Sequence, residues 1–421
     1  MILHIDFNSY FASVEQQANP RLRGKSVGVT GGDRTERTVI GAASIEAKKY
    51  GVKTGMQLWE AKKLCPQIVL VQGDSDKYLE VTKRFLSILK DYSPCLEVFS
   101  IDECFLSLDD DPIKTAKDIK KRIRDEIGEW IKCSIGISYN KLMAKLAGSL
   151  QKPDGLVVIP DQETAISILD QVSLDAICGI GGRIKKRLFN LGVTNFKQLR
   201  QVPLEALLAS FKSYGQILYN MARGIDNSPI IPFYEKEEVK SIGHRHTIDH
   251  DTADTDEIYL ILLKLCELVA ARLRAKKLMG KTIHCWFRFS DFSGEGMQVT
   301  IPYASDGLEI FKAAWKSFIQ IWKNPSTHSI NTQGRTEWNR STTSSGSLIR
   351  MIGVSISNLK PLLPQTLSLL PEVSKRQTIL QVLDQINNKF GQFTLQRGIL
   401  LRSTPMRRQP NPFLADRRFK L

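Results

Sequence analysis

The stretch "HIDFNSYFASVEQ", residues 4–16, ends a short apolar strand on one acid, Asp6, and follows it within five residues with two aromatics, Tyr10 and Phe11. Alternation over "ILHIDF", residues 2–7, places Leu3, Ile5 and Phe7 on one face and Ile2, His4 and Asp6 on the other. A helical pattern begins near Ser9, with Asn8 or Ser9 as the expected N-cap. A lone carboxylate at the end of a strand has two readings. It caps the helix that follows, or it is one member of a group of acids completed from elsewhere in the chain.

The chain has 421 residues and is 42% hydrophobic, enough for several packed domains rather than one core. No run of about 18 apolar residues occurs, so no membrane span is expected. Residue 2 already opens a strand, and no signal peptide is read. Seven cysteines are scattered singly without a Cys-x-x-Cys pair. That pattern fits reduced thiols in a cytoplasmic protein, not a disulfide framework or a zinc site. Lys plus Arg number 59 against 44 Asp plus Glu, a net charge of +15. The surplus suits a polyanion, nucleic acid above all, although a solvated basic surface has the same composition.

From Asp74 the apolar spacing becomes regular, with Tyr78, Thr82, Phe85 and Leu89 on one helix face. "CLEVFS" and "CFLSL" read as two strands with "IDE" between them. Asp111 caps a helix with Pro112 at its first position, "KCSIGIS" is a strand, and Leu142, Met143, Leu146, Ala147 and Leu150 mark a helix ended by Pro153. The order β-α…α-β-β-α-β suits a ferredoxin-like sheet with helices on one face and the other face free. Residues 161–230 are helix-rich, and "IPFYEKEEVK" reads as a tether. A second β-α-β-β-α-β pattern follows, with strands near 239–247, 281–290, 296–301 and 349–357 and helices near 254–278 and 305–320. Residues 324–347, rich in Ser, Thr and Asn, read as a disordered insertion. The last 26 residues hold seven basic residues against one acid, Asp416, and read as a tail. The class is α+β and multidomain.

Asp102 and Glu103 sit between the two apolar strands of "LEVFSIDECFLSL". At a hairpin bend, neighbouring side chains can converge, so this turn beside the Asp6 strand would gather three carboxylates. Three such charges repel one another unless cations sit between them. Hard oxygen ligands in an open site suit Mg²⁺, and two ions about 3.5–4 Å apart would serve a phosphoryl displacement. The competing reading is a helix cap at Asp6 and a polar hairpin turn at Asp102 and Glu103.

"HIDFNSYFASVEQ", "AASIEAKKYGVKTGM", "EVFSIDECFLSL" and "GISYNKLMAKLAGSLQKPDG" resemble, in order and spacing, the successive motifs of the Y-family, or translesion, DNA polymerases. The overall look is similar to the bacterial DNA polymerase IV-like branch, with some features of the polymerase V catalytic subunit. The resemblance implies a right-hand polymerase: a ferredoxin-like palm (1–10 and 72–160), small fingers (11–71), a helical thumb (161–232), an α+β little finger (239–358) and a C-terminal extension with its basic tail (359–421). It implies low-fidelity, template-directed addition of deoxynucleotides to a primer end by a monomer. Asp6, Asp102 and Glu103 would hold two Mg²⁺ ions, with the Phe7 carbonyl as a further ligand. Asn8 stands where many relatives carry another acid, and the polymerase V branch has Asn there as well. Phe11 matches the steric gate that rejects a 2′-hydroxyl. Tyr10 and Phe11 at the helix start, with Lys48 and Lys152, would receive the triphosphate. Lys48 replaces a common arginine, and Ile45 replaces a phosphate-contacting tyrosine. The stripe Lys141, Lys145 and Lys152 has helical spacing, and only Lys152 takes the family role; the other two read as a solvated face.

"ICGIGGRIKKRLFNLGV", residues 177–193, resembles a helix-hairpin-helix. Gly179 and Gly181 would let backbone N–H groups approach a phosphate, with Arg183, Lys185, Lys186 and Arg187 adding charge. A structural turn between helices is the plainer reading. "KSIGHRHTID" puts Lys240, His244 and His246 close together, a strand suited to duplex phosphates rather than to a metal. "QTLSLL", with Gln365, Leu367, Leu369 and Leu370, resembles a peptide that docks on the sliding clamp. Two other functions fit parts of the pattern. They are a catalytically silent DNA-binding repair scaffold and a nucleotidyl cyclase-like palm enzyme.

Overall fold

Alternation in the first strand sets the N-terminal half of the molecule. The computed structural model of the chain describes residues 1–31, 37–235, 238–323, 329–330, 336–337, 348–362 and 371–402. The chain divides near residue 236 into two compact units.

In the first unit, β1 (Ile2–Phe7) turns Leu3, Ile5 and Phe7 into the core. It leads into α1 (Tyr10–Ala18). A small sheet follows: β2 (Val27–Thr30), β3 (Ile40–Ala43), the helices α2 (Ile45–Lys49) and α3 (Leu58–Leu64), and β4 (Val69–Gln72). Its strand order is β3-β2-β4, with β2 and β4 parallel. Next come α4 (Ser75–Lys90), β5 (Leu96–Val98), β6 (Glu103–Ser107), α5 (Pro112–Arg122), β7 (Cys133–Ser138), α6 (Lys141–Leu150) and β8 (Leu156–Ile159). Asp74 opens α4 by accepting from the N–H groups of Asp76 and Lys77 at 3.1 and 3.2 Å. Asp111 does the same for α5 ahead of Pro112. Phe85, Leu86, Leu89, Ala116 and Ile119 from these two helices share one core with Leu3 and Ile5.

The main sheet runs β5-β6-β1-β7-β8. Its last strand, "LVVI" at 156–159, extends the expected four by one, parallel to β7. The second face is not free, contrary to the sequence expectation, because α6 packs across it. The reason is two glycines. A methyl group on Gly136 of β7 would fall 2.1 Å from the Ala144 carbonyl oxygen and 2.2 Å from the Gly148 nitrogen. Strand and helix backbones touch there, and only glycine permits it. The opposite side of α6 joins a third core. Met143, Leu146 and Ala147 cluster there with residues of α7 (Gln162–Leu169), α8 (Gly182–Asn190), α9 (Phe196–Gln201), α10 (Leu204–Phe211) and α11 (Tyr214–Met221).

The second unit contains β9 (Ser241–Thr252), α12 (Thr255–Ala275), β10 (Leu278–Phe289), β11 (Gly294–Ala304), α13 (Gly307–Lys323), β12 (Ser329–Ile330), β13 (Thr336–Glu337), β14 (Ile349–Pro361) and α14 (Pro371–Phe390). Six strands form a sheet of order β13-β12-β11-β10-β14-β9. Cys285, Phe287, Ile352, Val354 and Ile356 face α12 and α13 in one core. Two expectations change here. Within 324–347, two short strands, β12 and β13, pair with each other and onto Gly294 of β11, so the stretch is not wholly unstructured; its other residues lie outside those described. The tail also begins later than residue 396. Leu400 is buried in the core, and Arg397 donates to Glu267 at 2.6 Å. Gln365, Leu367, Leu369 and Leu370 lie outside the described residues.

Candidate active site

Antiparallel pairing sets Asp6 of β1 directly opposite Glu103, the first residue of β6. Directly opposed residues share a face, so both carboxylates point the same way. His4, two residues before Asp6, lies on that face as well. The ligand atoms of His4, Asp6 and Glu103 all fall within 4.8 Å of one another. Asp102 lies in the bend before β6. Its carbonyl accepts from the Phe7 N–H at 2.9 Å, which ties the bend to the end of β1. Its Oδ1 accepts from the Ser100 hydroxyl. Asp102 is therefore adjacent to the tight group rather than inside it.

The electrostatics record that proximity. Burial raises the Asp102 pKa above its ordinary value; the Ser100 hydrogen bond opposes this, and the Asp6 and Glu103 charges add to it. Burial also works against ionisation of Glu103. The His4 hydrogen bond and the Lys145 ammonium outweigh it and hold that pKa at about 2. Two lysine ammoniums sit on the acids: Lys152 Nζ is 2.6 Å from Asp6 Oδ1, and Lys145 Nζ bonds Glu103 Oε2. Positive charge thus already stands against Asp6 and Glu103, and the hard carboxylate oxygens of Asp6, Asp102 and Glu103 are the donor type that suits a divalent ion. Lys141 takes Glu97 at 2.7 Å. The lysine stripe of α6 is a set of counter-charges, not a solvated face. Lys145 and His4 are site residues that sequence reasoning passed over. The signal for His4 was its shared alternation with Asp6.

Around the acids, Lys48 of α2 has a lowered pKa. The surrounding protein is the first cause and the nearby Lys152 charge the second, with Asp6 and Asp102 opposing. Lys48, Lys152 and the acids therefore belong to one neighbourhood. Tyr10 is core: its hydroxyl donates to the Tyr78 carbonyl and meets Thr82 Oγ1, both at 2.8 Å. Only its main chain is left to face a ligand. Phe11 is half-buried and stacks on Tyr78, ring centroids 4.3 Å apart and 12° from parallel. Ser9 occupies the N-cap position of α1 at φ 51° and makes no side-chain cap, so neither expected cap satisfies the helix start. Asn8 instead donates to Ser134 Oγ at 3.1 Å and accepts from the Asp154 N–H at 2.7 Å. It fastens the end of β1 to the loop that carries Lys152.

Elsewhere in this unit, Gly179 has φ +105°, and a Cβ there would come within 2.9 Å of Met221 and of the Tyr214 hydroxyl. Around Gly181 and Gly182 nothing lies within 4 Å of where a Cβ would stand, so the start of α8 is open to close approach. Lys185 pairs with Asp175 at 2.7 Å on the surface. In the second unit, His244 and His246 share the face of Ile242 and Ile248, which are buried. Burial, then Arg272 and His246, push His244 down to about 4. These histidines face α12, not an exposed strand surface. The opposite face carries Trp286 with the Arg288 guanidinium 5.2 Å from its ring centroid. Gly294, Gly296 and Gly353 surround that ring, with their would-be Cβ positions 3.1–3.7 Å from it.

Comparison with known proteins accounts for both units. A sequence model described as the impB/mucB/samB family matches residues 5–149, and the model of that family's C-terminal domain matches 239–369. A model described as the thumb domain of DNA polymerase-iota matches 175–226. DNA polymerase IV of Moorella thermoacetica is 36% identical over 408 residues, covering 95% of this chain and 96% of that protein. DNA polymerase IV of Pelotomaculum thermopropionicum is 34% identical over 408 residues, covering 95% of each. A solved Y-family DNA polymerase chimera shares the fold, with a TM-score of 0.71 at 24% identity over 85% of this chain and 98% of that one. The architecture is that of an α+β multidomain polymerase, and the chain belongs to the Y family of DNA polymerases, on its DNA polymerase IV-like branch.

Proposed function

We propose that Asp6, Asp102 and Glu103, with the Phe7 carbonyl, hold the divalent ions of this translesion, DNA-directed DNA polymerase, two Mg²⁺ by the family pattern. The observation that carries the reading is the register of Asp6 opposite Glu103, with Asp102 tied beside them by the Phe7 N–H. Bound there, two divalent ions would neutralise the attacking and leaving oxygens of a phosphoryl displacement. The chain's own residues do the rest. Lys48 and Lys152 bring positive charge to the triphosphate, and the uncapped N–H groups at the start of α1 receive its oxygens. Phe11, backed by Tyr78, closes the space beside the sugar's 2′ carbon against a hydroxyl.

The primer-template would be gripped without base reading. Gly179 and Gly181 shape the turn before α8, and Arg183 and Lys185 stand on its first turns. In the second unit, the sheet face of Trp286 and Arg288 suits a duplex backbone better than the His244 and His246 face does. The segment Gln365–Leu370 remains the candidate for a sliding clamp. No helix among the described residues is long and apolar enough to cross a membrane. A monomer working at low fidelity in the cytoplasm is the reading that fits these features together.

Primer extension with Mg²⁺ on a short template tests the proposal. The parent chain should extend, and Asp102→Ala should not, while still binding the duplex. Binding without extension by the parent would favour a repair scaffold. Cyclisation of a free nucleoside triphosphate would favour a cyclase.

A further inference from the structure

The histidine beside the acids has a geometry that the reading above does not use. His4 is 1% exposed. Its Nε2 lies 2.9 Å from Glu103 Oε2. Its other nitrogen, Nδ1, has no hydrogen-bond partner. A carboxylate can only accept, so the proton sits on Nε2 and points at Glu103. The ring is held on all sides. Phe105 lies 4.8 Å from it centroid to centroid. Gly136 stands opposite it on β7, and a Cβ on Gly148 would come within 3.1 Å of Nδ1. The imidazole therefore cannot swing away from Glu103 without moving a strand or a helix.

Lys145 bonds the same oxygen, Oε2. His4 and Lys145 together occupy one oxygen of Glu103, and no described protein donor meets Oε1. We infer that His4 is a positioning residue for the polymerase reaction: its Nε2–H fixes the rotamer of Glu103 so that Oε1 is presented to a divalent ion. A flexible lysine alone leaves that carboxylate free to turn, whereas a wedged imidazole does not. Outer partners of metal-ligating groups act in this way, orienting the ligand rather than touching the ion. The inference rests on the reading of Glu103 as a metal ligand.

The test uses the full chain with Mn²⁺ as the probe, its binding read by the electron paramagnetic resonance signal of the free ion, together with single-turnover primer extension and thermal melting. His4→Leu fills the space without a donor. His4→Gln carries an amide nitrogen near the place of Nε2. Mn²⁺ affinity and the maximal single-turnover rate should each fall about tenfold or more in His4→Leu, with the apparent Kd for the deoxynucleotide unchanged. His4→Gln should recover most of both. If His4→Leu melts early, His4→Asn replaces it, since its shorter amide does not reach Glu103.

Three results overturn the inference: Mn²⁺ affinity within twofold of the parent in the donor-free variant, equal losses in His4→Gln and His4→Leu at parental melting temperature, or spin-echo modulation showing nitrogen bound directly to Mn²⁺. Glu103→Gln separates this failure from that of the underlying reading. If it binds Mn²⁺ as the parent does, Glu103 is no ligand and both ideas fall. If it loses Mn²⁺ while His4→Leu does not, only the role of His4 falls.

Discussion

In the N-terminal sheet, β1 and β6 carry acids to one end and α6 covers the face behind them. In the C-terminal sheet, β10, β11 and β14 turn Trp286, Arg288 and three glycines away from the helices. Both units follow the order β-α-β-β-α-β, and both hide one face under two helices. They differ in what the second face holds. At Gly136 the missing side chain lets a helix approach and bring Lys145 onto Glu103, with Lys141 pairing Glu97 a turn earlier. At Gly294, Gly296 and Gly353 the missing side chains make room for one large ring and its arginine. The same frame, with glycines placed differently, yields a cluster of acids in one unit and an arginine held over a ring in the other, which we read as a chemical centre and a contact surface.

The largest effect should break that division at its chemical end. Asp6→Ala removes one of two opposed carboxylates and leaves Lys152 without its partner. Extension should fall by at least about 10³-fold, roughly 4 kcal/mol of barrier, while duplex affinity measured by fluorescence anisotropy stays within a few-fold. Comparable losses of extension from Trp286→Ala would mean the two sheets do not divide the work. Gly136→Val comes next. It forces β7 and α6 apart at a backbone contact that cannot yield, and should cost roughly 4 kcal/mol by denaturant unfolding. The same change at Gly353, where the nearest atoms are side chains of Arg245 and Trp286, should cost clearly less.

The C-terminal unit should respond to acid through a different group. His244 is held near pH 4 by burial and by the Arg272 and His246 charges, against an ordinary value of 6.5. Above pH 6.5 it is neutral folded or unfolded, and nothing is lost. Between 6.5 and 4 the unfolded chain takes up a proton that the folded unit refuses, so stability falls as pH drops. The loss is at most about 3 kcal/mol. His244→Gln should make the fall of the melting temperature across that interval less steep, the remaining slope coming from His4, His246 and His284. An unchanged slope would show that His244 does not face α12 as described.

Much of this was legible in the chain. Alternation in "ILHIDF" separated Leu3, Ile5 and Phe7 from His4 and Asp6, and the structure keeps that separation. Capping by Asp74 and Asp111 was written in the residues themselves. What was not legible depended on distant partners. A lysine at 145 looks like any surface lysine until Gly136 and Gly148 let its helix descend onto the acids. His244 and His246 look like a surface pair until their parity with Ile242 and Ile248 is noticed. The strand at 156–159 was too short to claim before β7 was there to pair with it. The ring of Tyr78, marked only as a helix face, became the support of Phe11 once α1 and α4 had met.

Phe11 sharpens the chemical side further. Its ring lies flat on Tyr78, so it cannot retreat without disturbing a residue that is 1% exposed. Phe11→Ala should raise ribonucleotide incorporation by about tenfold or more, equivalent to roughly 1.4 kcal/mol of lost discrimination. Deoxynucleotide extension should change less. Unaltered discrimination would place the gate elsewhere.

The smallest expected effect tests the proposed contact surface. Arg288 is half-buried, its Nε has no hydrogen-bond partner, and its guanidinium lies over Trp286. A cation held over a ring keeps its charge while losing freedom, which suits a phosphate contact and carries no sequence information. Arg288→Gln should weaken duplex binding severalfold, equally for unrelated sequences, and should reduce the slope of log affinity against log salt by about one. Extension rate on saturating duplex should be unaffected, because no atom of this face belongs to the acids. A changed rate at saturation, with the salt slope intact, would instead mean that the second sheet acts on the reaction itself, and the contrast between the two units would have to be redrawn.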